Sequence, residues 1–151
     1  MDKYFYVYYV FHNRIIGNDS VGQPIYDEKD IGLYSTQKNA DNAVNHFKYL
    51  PGFVQFPNDF HIQRRRCYVA DKKGKTKQNN TVIYMPYHEC YDSENDYDSV
   101  TKGCFFLDKN EAEKVIEEWK KDHILSQHPE GFNILEYKLD SDNILWSEGF
   151  F

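Results

Sequence analysis

The feature that most constrains the fold is an internal correspondence at a constant shift of 72 residues. The shift carries Ala40, Ala43, Val44 and Phe47 onto Ala112, Val115, Ile116 and Trp119. Each quartet is the i, i+3, i+4, i+7 face of one amphipathic helix. It also carries Pro57, Phe60 and Ile62 onto Pro129, Phe132 and Ile134. Over residues 32–68 only six of 37 positions are identical, so the weight rests on the ungapped match of the stripe and of P-x-x-F-x-I.

The surrounding pattern extends each copy to β-β-α-β. Tyr4 to Phe11 is aromatic or β-branched throughout and reads as a central strand. Asn13 to Asp30 has loop composition, with Gly17, Gly22 and Pro24. Ile31 to Tyr34 is a short strand, Ser35 or Thr36 caps the first helix, and Pro51-Gly52 stops it. Phe60 to Val69 is the next strand, and a polar linker runs to Asn80. In the second copy Thr81 to Tyr87 is a strand that Pro86 ends at an edge or bulge. Glu89 to Lys102 reads as an acidic loop, and Gly103 to Leu107 as a strand. Asp108 with Glu111 forms a capping box, and Phe132 to Leu139 is the last strand. The predicted fold is therefore α+β, with repeats over 1–76 and 77–151 in one globular unit. A half of this size buries too little surface to stand comfortably alone. We expect a pseudo-twofold relation and a mostly antiparallel sheet with helices on one face, a ferredoxin-like variant.

Parts of this pattern carry a resemblance. Gly32-Leu33-Tyr34-Ser35 before the helix, Pro51-Gly52-Phe53, Pro57 to Ile62 and the closing Trp146-Ser147-Glu148-Gly149-Phe150 resemble a family of short bacterial proteins. That family shows Y-H near the start, G-x-Y-S with a helix, P-G-F, P-x-G-F and W-x-E-G-F. Tyr87-His88 and Pro129-Glu130-Gly131-Phe132 repeat some of its elements in the second half. The resemblance implies a tandem or elongated member and brings no activity with it. In profile the chain also resembles immunity proteins of bacterial polymorphic toxin systems, which are small, acidic, aromatic-rich and cytoplasmic.

Charge is where the halves differ. Residues 1–76 hold 11 basic and 8 acidic side chains, and residues 77–151 hold 7 and 16, so the halves carry +3 and −9 and sum to −6. Bases cluster from Arg64 to Lys77, and five acids with no base lie from Glu89 to Asp98. Such separation speaks of association partners, not of fold. Mean hydropathy of −0.78 and the lack of a long apolar run predict no membrane span, and the opening residues show no export signal. Cys67, Cys90 and Cys104 are then expected to be reduced, buried or inert thiols of a cytoplasmic protein.

No motif names a reaction. Asp92-x-Glu94-x-Asp96-x-Asp98 has Tyr97 where a calcium loop needs Gly and Gly103 where it needs Glu. His88-Glu89-Cys90 lacks the second His of a zinc helix, and no Cys-x-x-Cys occurs. Lys73-Gly74-Lys75-Thr76 lacks the first Gly of a phosphate loop. We therefore expect no enzyme, cofactor or metal, but an immunity protein, monomeric or weakly dimeric, that neutralises a basic nuclease-type toxin. Its expected contacts are Glu89, Tyr91, Asp92, Glu94, Asp96, Tyr97 and Asp98, with Glu113, Glu117 and Glu118 on the second helix. The alternatives are a nucleic-acid-binding module using Arg64 to Lys77 and the sheet face, or a small ligand-binding regulator. Lys102 to Leu107 partly matches an RNA-recognition motif, but a −9 half repels a polyanion, so nucleic acid ranks below protein as the partner.

Overall fold

A computed structural model describes residues 3–70, 81–92 and 97–151, with the backbone alone for Asp92, Tyr97 and Asp98. Among the described residues the fold is α+β, with eight strands, mostly antiparallel, and two helices. In order these are β1 (Lys3–Asn18), β2 (Pro24–Tyr34), α1 (Gln37–Phe47), β3 (Phe60–Val69), β4 (Val82–Asp92), β5 (Tyr97–Lys102), β6 (Phe105–Phe106), α2 (Lys109–Trp119), β7 (Phe132–Lys138) and β8 (Ser141–Asp142). The chain divides into two compact units that interleave along the sequence. One holds residues 6–65 and 138–151, the other 81–137 with 3–5 and 66–70.

In the first unit β1 pairs antiparallel with β2, and β2 with β8 at Gly32↔Asp142 and Leu33↔Ser141. Helix α1 begins where Thr36 accepts a hydrogen bond from the Asn39 N–H at 3.1 Å, which satisfies one orphan donor of the first turn. Its Ala40, Ala43 and Phe47 are buried with Val10, Ile31, Tyr34 and Phe53, and Leu50, Phe60, Trp146 and Phe150 pack against that core. The stretch expected as a loop from Asn13 to Asp30 is instead the body of the β1–β2 hairpin, paired out to Asn18↔Pro24. Only Asp19 to Gln23 turns, and the Asp19 carboxylate accepts from the N–H groups of Val21 (3.0 Å) and Gln23 (2.8 Å). The polar residues on either side belong to a two-stranded arm exposed to water, so composition mimics a loop there.

In the second unit β4 pairs antiparallel with β5 and β6, β7 pairs with β4, and β6 runs parallel to the end of β3 at Cys67↔Phe105. Helix α2 packs on β4 and β6 and buries Ala112 and Ile116. Four expectations are corrected here. Pro86 does not end its strand; it sits buried inside β4. The opposing chain breaks between β5 and β6, and Gly103 approaches so closely that a Cβ there would stand 2.5 Å from the Pro86 ring. The Gly103 N–H donates to the Pro86 carbonyl at 2.9 Å, so the missing proline donor falls at a gap in the ladder. Glu89 to Lys102 is not a loop but a hairpin, in register from Tyr87↔Lys102 to Asp92↔Tyr97. The capping box is absent too. The Asp108 side chain makes no cap bond and accepts from the Ala70 N–H at 3.3 Å. The strand expected from Gly103 to Leu107 shrinks to Phe105–Phe106. The linker expected up to Asn80 lies mostly outside the described residues.

Candidate functional site

Alternation along β4 sorts the predicted contacts. His88 and Cys90 point inward and are buried, while Glu89 and Tyr91 point outward. Tyr91 is 71% exposed, and across the hairpin Glu89 faces Val100, itself 48% exposed. The register sets Asp98 opposite Tyr91 and Tyr97 opposite Asp92 on the backbone. An outer face with the Tyr91 ring, the Val100 side chain and the Glu89 carboxylate is thus held on a buried inner face. Glu94 and Asp96 lie outside the described residues.

Glu113, Glu117 and Glu118 are exposed on α2. Glu117 pairs with Lys120 and Glu118 with Lys121, each at 3.1 Å, and Glu111 pairs with Lys114 at 2.9 Å. These exposed i, i+3 pairs add little stability, but they neutralise much of the helix's acidic charge. Arg64 lies over the Tyr6 ring at 4.4 Å and Arg66 over the Tyr4 ring at 4.6 Å. Both cations are thus stacked on tyrosine rings.

Two histidines to which the sequence reading gave no role are buried. His12 on β1 and His88 on β4 are 0% and 1% exposed. His12 Nε2 lies 3.0 Å from the Phe56 carbonyl oxygen, and His88 Nε2 lies 3.0 Å from that of His128. Each acceptor immediately precedes a proline, Pro57 or Pro129. Each imidazole also meets a phenylalanine ring edge-on, Phe60 at 4.7 Å and Phe132 at 4.6 Å. In both, Nδ1 is buried without a hydrogen-bond partner. The available signal was the spacing: His12 precedes Thr36 by 24 residues and His88 precedes Asp108 by 20, so the second hairpin is four shorter and a constant shift misses the match.

Around His12 the two glycine motifs interlock. Phe150 donates its N–H to the Pro51 carbonyl at 2.8 Å, and its ring meets Phe53 edge-on at 4.8 Å. Lys29, 5% exposed, lies over the Phe150 ring at 4.1 Å and near the Trp146 ring at 5.2 Å, and Arg14 lies over Phe150 at 4.9 Å. Asp27 accepts from both Lys29 and Arg14. A separate polar cleft of about 330 Å³ lies beside α1, lined by Tyr34, Asn39, His46, Asp140 and Asp142 among others. Tyr34 donates to Asp142, and burial first, then that carboxylate, pushes the phenol far up from its ordinary value.

Burial first, and Asp108 second, push the Cys67 thiol up to about 12, so it stays protonated and inert. Cys90 is buried and Cys104 exposed. Among the described residues no group of three or more His, Cys, Asp or Glu side chains is gathered to hold a metal ion, and no helix is long and apolar enough to cross a membrane. Compared with protein-family models, curated proteins and solved structures, the chain matches none.

Proposed function

We propose that this is a non-enzymatic bacterial binding protein, an immunity protein that neutralises a basic, nuclease-type toxin domain on the outer face of the β4–β5 hairpin. The observation that carries the reading is the joint exposure of Glu89, Tyr91 and Val100 on one face of that hairpin, within the most acidic run of the chain. A nuclease needs a cationic surface for its polyanionic substrate. An acidic face steers onto that surface, and a rigid tyrosine supplies the desolvated anchor. The acids of α2 form a weaker second surface, since Lys120 and Lys121 already pair with Glu117 and Glu118.

The test uses the C-terminal domain of the large protein encoded beside this chain, where that domain is basic. Co-expression should rescue growth, and the two should bind with an affinity that falls steeply with salt. Neutralising Glu89, Asp92, Glu94, Asp96 and Asp98 together with Tyr91→Ala should lower affinity at least a hundredfold. Unchanged affinity in that variant removes the hairpin assignment, and a basic neighbour that neither binds nor is neutralised removes the immunity reading.

We infer as well that the halves derive from one duplicated β-β-α-β unit with the ferredoxin-like, pseudo-twofold layout. Its support is the repeated histidine arrangement, the offset of 72 between Gln37–Phe47 and Lys109–Trp119, and the matching pairs Tyr8↔Tyr34 and Tyr84↔Phe106.

A further inference from the structure

His12 sits in a box that accepts only one of its protonation states. Phe60, Phe53 and Phe150 surround the ring at 4.7, 5.0 and 6.2 Å between centroids. The contact of Nε2 with the Phe56 carbonyl requires the proton on Nε2, because a carbonyl can only accept. Nδ1 is then a bare lone pair, buried with nothing to donate to it and nothing to accept from it once protonated. Three charged groups act on the ring: Arg14 on the same strand, Lys29 on β2 and Asp59 just before β3. The remaining carboxylate nearby, Asp27, is engaged by Arg14 and Lys29. A positive charge on the imidazole would therefore face two cations and one anion in an apolar cage.

The wall of that box is the C-terminal segment. Residues 146–150 reach it through the Phe150 N–H on Pro51 and through the Phe150 ring, which covers Phe53 and His12 on one side and receives Lys29 and Arg14. We propose that His12 is a proton-sensitive catch: protonation of its Nδ1 releases the segment from Trp146 to Phe150 and loosens the 3-10 turn Phe53–Gln55 that its Nε2 holds. The inference stands apart from the toxin-binding reading.

The sign follows from linkage. Burial is the largest influence on the closed site and holds His12 below its ordinary 6.5, against the opposing pulls of the Phe56 carbonyl and Asp59. Released to water, the ring returns to 6.5. The closed form is fully favoured above that value. As pH falls below it, the released form takes up the proton first, and the released-to-closed ratio rises up to about tenfold per pH unit until the closed ring also protonates.

The chain holds two tryptophans, so Trp119→Phe leaves Trp146 as the only indole reporter of the segment. Emission of Trp146, far-UV circular dichroism and the ¹⁵N shifts of the His12 imidazole are followed on the full chain from pH 8 to pH 5. The expected result is a red shift of Trp146 that tracks His12 protonation while far-UV signal is retained. His12→Asn, whose amide can still donate but does not titrate, should abolish the shift. The proposal is overturned if Trp146 responds identically in His12→Asn, if His12 protonates with Trp146 unmoved, or if His12 stays neutral until the whole chain unfolds. Should His12→Asn fail to fold, the imidazole shifts of the chain carrying only Trp119→Phe still decide between these outcomes.

Discussion

Gly149 and Pro51 approach so closely that a Cβ on Gly149 would stand 2.1 Å from the Pro51 carbonyl oxygen. The contact is reciprocal, since a Cβ on Gly52 would stand 2.3 Å from the Phe150 carbonyl oxygen. Both glycines have positive φ, +84° and +82°. The P-G-F and W-x-E-G-F motifs, about a hundred residues apart, are thus two sides of one backbone lock. Gly22 provides the control, with φ +84° and nothing within 4 Å of its missing Cβ. Gly22→Ala should cost only the left-handed strain, about 1 kcal/mol. Gly149→Ala and Gly52→Ala must also displace backbone and should cost about 2–4 kcal/mol in urea denaturation.

Asp27 links Lys29 and Arg14. Burial pushes its carboxyl up, but the hydrogen bonds from Lys29 and Arg14 outweigh this and hold it below 3.8. Its stabilising effect is therefore complete above the ordinary carboxyl value and is lost as pH falls through the lower folded value. Asp27→Asn should lower stability at pH 7 by about 2 kcal/mol, because Lys29 stays buried with less compensation. It should also flatten the part of the urea-midpoint profile that lies below pH 4.

Thiol chemistry should separate the three cysteines. Cys104 is exposed, while Cys67 and Cys90 are buried. At pH 8 a maleimide should label one thiol per folded chain and three in denaturant, counted by intact mass. Rapid labelling of Cys67 in the native state would contradict its burial and its raised pKa.

The two faces of β4 should respond in opposite ways. Glu89→Gln and Tyr91→Ala remove exposed groups and should change stability by no more than about 0.5 kcal/mol. His88→Ala empties a buried site against Phe132 and removes one of the two donors on the His128 carbonyl, the Gly131 N–H remaining, and should cost more than about 2 kcal/mol. Equal effects of Tyr91→Ala and His88→Ala on the urea midpoint would show that the inner and outer faces are misassigned.

Much of the local structure was legible. The stripes Ala40-Ala43-Val44-Phe47 and Ala112-Val115-Ile116-Trp119 do lie in helices, and Phe60 to Val69 is a strand at its predicted bounds. The hairpins were harder to read. Polar stretches such as Asn13 to Asp30 and Glu89 to Lys102 look like loops when one or both faces of a two-stranded arm meet water. Pro86 and Asp108 misled for a related reason. A proline is tolerated where the facing strand is interrupted, and a carboxylate placed to cap a helix can be drawn to the N–H of another strand.

What the sequence determined by itself is whatever depends on neighbours along the chain: the helix stripes, their 72-residue offset, a helix cap at Ser35 or Thr36 and the acidic run from Glu89 to Asp98. Periodicity and capping act over a few residues, so they are written where they act. The tertiary structure alone decided that Phe150 closes over Phe53, that Lys29 lies under two aromatic rings, and that His12 and His88 each meet the carbonyl before a proline. Those contacts join residues 40 or more positions apart. Which distant side chains meet is set by strand register and by the burial of apolar surface over a whole unit, and neither quantity is a property of any short window of residues.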